Sequence, residues 1–121
     1  MQVFLVEDSA TIRERVAAMV EATPNAELAG HAADADAAIR DILAVSPDMV
    51  LLDISLAAGS GFDVLRAVHS LEPGIAFYML SNFATEPYRR HAERLGARGF
   101  FDKSTDFDRL RDLVAQRAAS Q

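Results

Sequence analysis

Four short apolar runs, residues 3–6, 49–52, 75–80 and 99–101, do not alternate with polar residues, and each breaks off at a polar side chain. A strand with one wet face would alternate. Continuous apolar strands are the pattern of a parallel sheet covered by helices on both faces. Between the runs lie stretches with helical apolar spacing: Ile12, Val16, Met19 and Val20; Ile39, Ile42 and Leu43; Val64, Leu65 and Val68; Phe107, Leu110, Leu113 and Val114. Strand and helix in repeated alternation predict βαβ units. A further strand around residues 27–32, rich in Ala and weakened by Gly30, has the character of an edge strand. The expected architecture is α/β: a doubly wound five-stranded parallel sheet in the order 2-1-3-4-5, flavodoxin-like, with five helices.

Breakers fall between these elements. Thr23, Pro24 and Asn25 are expected to stop the first helix, Ser46 and Pro47 the second, Glu72, Pro73 and Gly74 the third, and Gly96 the fourth. Asp34 is placed to cap the second helix, and Thr105 with Asp108 three residues on reads as a capping box for the last. At 121 residues the chain has room for one domain, spanning residues 1–121, with no linker, repeat or output domain expected. Its apolar share of 50 % and charged share of 25 % are those of a folded globular chain. Twelve Lys and Arg against eighteen Asp and Glu leave a net charge of −6, which disfavours direct nucleic-acid or anionic membrane binding. No apolar run approaches the roughly 20 residues of a membrane span, and MQVFLVED reaches acids too soon for a secretory signal. A cytoplasmic location is expected.

The residues just past the strand ends carry the chemistry: Glu7 and Asp8 after the first, Asp53 after the third, Ser81 after the fourth, and Lys103 close after the fifth. Singly, an acid after a strand is most often a helix cap or a solvated loop residue. In an open parallel sheet, however, the carboxyl ends converge on one crevice, where ligands bind. Two carboxylates about 4 Å apart repel by several kcal/mol at an effective dielectric near 20, so a cation is needed among them. An all-oxygen donor set suits Mg²⁺; the lack of cysteine, and of metal-ligand spacing among His31, His69 and His91, argues against Zn²⁺. A carboxylate can also act as a nucleophile toward phosphorus, and such transfer needs mainly alignment and neutralised charge.

On these residues the chain resembles a response-regulator receiver domain of two-component signalling, over its whole length. The resemblance places the acidic pair on Glu7 and Asp8, the phosphoacceptor on Asp53 in VLLDISLAAGSGFDVL, the switch hydroxyl on Ser81 in FYMLSN, and the lysine on Lys103 in GFFDKS. It puts the switch aromatic on Phe100 and the turn glycine on Gly61, and adds the backbone carbonyl of Ser55 to a Mg²⁺ site formed with Glu7, Asp8 and Asp53. It implies a phosphorylation switch charged by a sensor histidine kinase or a histidine phosphotransfer protein, with output to a downstream protein target or along a phosphorelay. No enzyme activity is implied beyond its own phosphorylation and dephosphorylation. Tyr88, Arg90, Phe100 and Arg111 would then lie on the partner surface, and the chain would be a monomer or weak dimer.

Departures from the family pattern carry their own expectations. Ser104 stands where a proline usually follows the lysine, so a trans bond is expected there. Ala57 replaces the usual proline four residues after the phosphoacceptor, which is expected to loosen residues 55–60. Phe100 has no hydroxyl, so only packing would hold it inward, and Phe83 would stand over the phosphoryl group. The alternative is a Mg²⁺-dependent phosphatase-like or Toprim-like enzyme. Both need an Asp-x-Asp pair, which neither Glu7-Asp8-Ser9 nor Asp53-Ile54-Ser55 supplies.

Overall fold

The computed structural model describes residues 1–121. Strands β1 (Gln2–Val6), β2 (Glu27–Ala32), β3 (Met49–Leu52), β4 (Ala76–Ser81) and β5 (Gly99–Asp102) alternate with helices α1 (Ala10–Ala22), α2 (Ala35–Val45), α3 (Gly61–His69), α4 (Glu86–Arg94) and α5 (Phe107–Ala119). The sheet runs β2-β1-β3-β4-β5 with every neighbouring pair parallel, the expected flavodoxin-like order.

Strand periodicity divides the core in two. Phe4, Val6, Val50, Leu52, Phe77 and Met79 face Ala38 and Ile42 of α2, Val64, Leu65 and Val68 of α3, and Ala92 of α4. The intervening Val3, Leu5, Met49, Leu51, Ala76, Tyr78 and Leu80 face Val16, Met19 and Val20 of α1 and Leu110 and Val114 of α5. Each such side chain contributes about 1.5–3 kcal/mol on burial, so both faces are needed for a stable fold. The edge strand β2 is only partly buried, and the β1–β2 register slips between Val3 and Phe4. Gly30 is required there: a Cβ would lie 2.9 Å from the Phe4 ring.

The helix starts are capped largely as their sequences dictate. Ser9 accepts from the Ile12 N–H, Asp34 accepts from the Ala37 N–H at 2.8 Å, and Ser60 and Asp63 form a reciprocal capping box on α3. Two expectations need correction. The cap position of α5 is Asp106, not Thr105; its carboxylate accepts the Asp102 N–H at 2.8 Å instead of capping, and the expected box is not formed. Helix α3 ends at His69, before the Glu72-Pro73-Gly74 breaker. On α4, Ala92 alone is buried, with Tyr88 exposed and Leu95 half-buried, so only a thin stripe faces the sheet. No helix is long and apolar enough to cross a membrane.

Candidate phosphoacceptor and metal site

The strand ladders continue one residue beyond the strands and thereby place the site. The Glu7 N–H donates to Ala32 O, the Asp53 N–H to Val6 O at 3.0 Å, and the Lys103 N–H to Ser81 O at 3.2 Å. Three side chains separated by 50 and 96 positions then meet: Lys103 Nζ donates to Glu7 Oε1 at 2.5 Å and to Asp53 Oδ2 at 2.7 Å. The other Asp53 oxygen, Oδ1, accepts the Ile54 N–H at 2.7 Å. Glu7, Asp53 and Ser81 are buried at 1 %, 5 % and 0 % exposure, while Asp8 is open to solvent.

One cation serving two buried carboxylates leaves the cluster short of positive charge. Burial, reinforced by the neighbouring Asp53 and opposed by Lys103, pushes the Glu7 carboxyl up to about 8. Burial would lower the Lys103 pKa, but its hydrogen bonds to Asp53 and Glu7 outweigh that and raise it. Glu7 Oε2 is buried without a hydrogen-bond partner. Carboxylate oxygens of Glu7, Asp8 and Asp53 come within 4.8 Å of one another. A hard divalent cation fits this set: it would take oxygen donors, keep part of its water shell on the open Asp8 side, and relieve the orphaned oxygen.

Gly61 shapes the floor of the site. Its N–H donates to Ile54 O at 2.8 Å, and a Cβ there would fall 2.0 Å from the Asp53 carbonyl oxygen, so no larger residue fits without moving the Asp53 backbone. Ser55 lies in the loop between, exposed, bridged to Ser60. Ala57 ties that loop to the segment after β2. The Ala57 N–H donates to Ala33 O at 3.0 Å, a bond a proline lacks, and the Ala35 N–H donates back to Ala58 O at 2.9 Å. The Lys103–Ser104 peptide is trans, as is every other peptide bond.

Of the residues read as switch and partner surface, Tyr88, Arg90 and Arg111 are exposed, Arg90 paired with Glu86 at 3.1 Å and Arg111 with Asp108 at 3.4 Å. Phe100 is not part of that surface. Its ring is turned in, 8 % exposed, and belongs to the same apolar cluster as Ala92, against which the half-buried Leu95 and Ala97 pack. Ser81 Oγ accepts the Phe83 N–H at 3.1 Å. The Phe83 ring is about half exposed and lies 5.7 Å from the Tyr88 ring, whereas Phe62 stacks on Tyr88 from α3. Sequence reasoning missed Arg89, which donates through Nε to Ala84 O at 3.0 Å and through NH1 to Phe100 O at 3.3 Å.

The family model for the response regulator receiver domain matches residues 3–115. A protein-glutamate methylesterase/protein-glutamine glutaminase of Geobacter sulfurreducens is 34 % identical over 105 residues, which is 87 % of this chain and 28 % of that protein. The transcriptional regulatory protein DegU of Brevibacillus brevis is 26 % identical over 94 % of this chain and 48 % of its own length. The chain thus spans between about a quarter and a half of these relatives. Among solved structures, the signal receiver domain of the putative response regulator NarL from Mycobacterium tuberculosis superposes with a TM-score of 0.88 at 27 % identity, covering 99 % of this chain and 97 % of that one. The response regulator domain of Thermotoga maritima CheB gives 0.86 at 22 % identity and shares the fold. With the family shown, the phosphatase-like and Toprim-like alternatives give way: the chain belongs to the response-regulator receiver domains of two-component signal transduction.

Proposed function

We propose that residues 1–121 act as a phosphorylation-dependent switch that takes a phosphoryl group onto Asp53 from a sensor histidine kinase or a histidine phosphotransfer protein. The observation that carries this is the double bond-sharing of Lys103: one ammonium placed against both Glu7 and Asp53 at the carboxyl edge of the sheet. In the transfer, an Asp53 carboxylate oxygen forms the new bond to phosphorus. The bond from phosphorus to the donor's imidazole nitrogen breaks, and the ring leaves as neutral imidazole with that electron pair, keeping the proton on its other nitrogen. Lys103 stays beside the transferred oxygens, and the Ser81 hydroxyl, which accepts from Phe83, has its own proton free to donate to one of them. Mg²⁺ held by Asp8, Asp53 and the Ser55 carbonyl, with Glu7 one shell out, would neutralise charge on the transferring oxygens. Water attack on phosphorus later returns the carboxylate and inorganic phosphate, and the protein catalyses nothing beyond these two steps.

Output runs through protein contact with a downstream target, or by passing the phosphoryl group on, with no direct nucleic-acid role; the protein works as a monomer or weak dimer. Tyr88, Arg90 and Arg111 supply the exposed contacts. Incubation with Mg²⁺ and phosphoramidate should add about 80 Da by intact mass, the mass of one phosphoryl group. Asp53→Asn should lose the gain completely; a mutant that keeps it places the phosphoacceptor elsewhere.

A further inference from the structure

Arg89 differs from its neighbours on α4. Arg90 reaches out to Glu86 at the surface, whereas Arg89 makes no ion pair and turns inward, one turn before the buried Ala92 on the same helix face. Its guanidinium spans two main-chain carbonyls on different elements: Ala84 O, three residues past Ser81 on the β4–α4 connection, and Phe100 O on β5. It also sits 5.1 Å from the centroid of the Phe100 ring, above the inward-turned aromatic. A planar fork suits this bridging task because the two bonds leave from different nitrogens, Nε and Nη1, whereas a lysine would have to bring both carbonyls to a single nitrogen.

We infer that Arg89 is a positioning residue for the phosphoryl site: it fastens the connection that follows Ser81 to β5 and covers Phe100, holding both in the arrangement that receives the phosphoryl group. This rests on the reading of Asp53 as phosphoacceptor. An inward Phe100 without a hydroxyl has apolar packing alone to hold it; the Arg89 cap adds a charge-assisted hydrogen bond to its own carbonyl and a cation against its ring. A segment tied down beforehand spares the ordering that phosphoryl binding must otherwise impose, so the tie acts on the rate of phosphoryl uptake without touching the metal ligands.

The test is the rate of mass gain from phosphoramidate, followed against Mg²⁺ concentration, in the full chain carrying Arg89→Met, Arg89→Lys or Arg94→Met. Arg89→Met keeps the aliphatic stem and removes the donors; the rate should fall roughly 3- to 10-fold, the size of a coupling carried by one such position, with the Mg²⁺ concentration for half-maximal rate unchanged. Arg89→Lys should recover part of the rate, and Arg94→Met, exposed on the same helix, should behave as wild type. Aromatic NMR of Arg89→Met should show the Phe100 ring, 8 % exposed in the wild type, becoming accessible to a soluble paramagnetic probe. If Arg89→Met fails to fold, Arg89→Lys decides the matter through an intermediate slowing. Equal rates in Arg89→Met and wild type below their melting temperatures would overturn the inference, even if stability falls, since that marks a purely structural arginine. So would a slowing fully accounted for by weaker Mg²⁺ binding. A wild-type protein that gains no mass overturns the phosphoacceptor reading itself, and this inference with it.

Discussion

The two edges of the same sheet treat their carboxylates in opposite ways. At the amino edge the acids lie at the surface and find partners: Asp48 accepts the Gln2 N–H at 2.7 Å, Glu72 accepts from Ser46, and the terminal ammonium donates to Asn25 O, while the buried atom left without a hydrogen bond there is on a cation, Arg117 Nε. At the carboxyl edge, Glu7 and Asp53 are buried side by side, share one ammonium, and leave Glu7 Oε2 without a hydrogen bond. The strands between are equally apolar, so the backbone does not impose the difference. Structural polar groups settle into the cheapest arrangement available. Under the proposed function the carboxyl edge must receive three more oxygens and a metal, and unsatisfied capacity of that kind is kept at a cost in stability.

The contrast can be tested by substitution at each edge, beginning with the largest effect. Gly61→Ala drives a methyl into the Asp53 carbonyl and should lower the unfolding free energy by about 3 kcal/mol, measured by urea titration, with phosphorylation slowed in whatever remains folded. A wild-type midpoint would mean that the loop gives way freely. Asp8→Ala should weaken Mg²⁺ about tenfold by calorimetry, the scale on which one lost ligand interaction is felt. Glu7→Ala should weaken it less, and equal losses would remove the distinction between ligand and water holder.

A further substitution, Glu7→Gln, reads the orphaned oxygen through pH. The folded Glu7 pKa of about 8 lies above its unfolded value of 4.5, so the group binds more protons in the folded state between those limits. Its stabilising contribution is fully present below pH 4.5 and is lost as pH rises through 8. Glu7→Gln carries no such dependence. Without metal it should be more stable than wild type by about 1–3 kcal/mol at pH 8 and near parity at pH 5, measured by thermal melts. A constant difference at both pH values would mean that Glu7 stays ionised throughout. The smallest effect belongs to the amino edge. Asp48→Asn should cost under about 1 kcal/mol, as exposed polar pairs do, and leave phosphoryl uptake unchanged. A larger loss would erase the contrast between the edges.

Most of the carboxyl edge is legible in the chain because a fully buried parallel strand writes itself as an uninterrupted apolar run, and the next polar residue marks where it emerges. Glu7, Asp53, Ser81 and Lys103 are read in that way; the side chains of Glu7, Asp53 and Lys103 come together, Ser81 ends β4 with its hydroxyl on the Phe83 N–H, and Gly61 falls where only glycine fits. What escapes is set by contacts that leave no pattern. Asp106 displaces Thr105 at the start of α5 because its carboxylate is claimed by the Asp102 N–H, which also holds its pKa below the usual range. Tyr88 sits between Phe62 and Phe83 at the surface, an aromatic grouping across three segments that no local spacing shows. Arg89 looks like one basic residue among several, since an arginine bonded to carbonyls is indistinguishable in sequence from a solvated one. Ala57 reads as a lost proline, yet the N–H it restores ties the loop to Ala33.

The Lys103 bridge spans nearly the length of the chain, closing on Glu7 across 96 positions and on Asp53 across 50. Contacts of such separation form late, after the loops between them have been closed at an entropic cost. β1 and β3 precede β5 in the chain, so the two acids they carry are made well before the lysine that bridges them. Under the proposed function, competence to take up phosphate would therefore arrive in one step, when β5 docks and delivers its lysine.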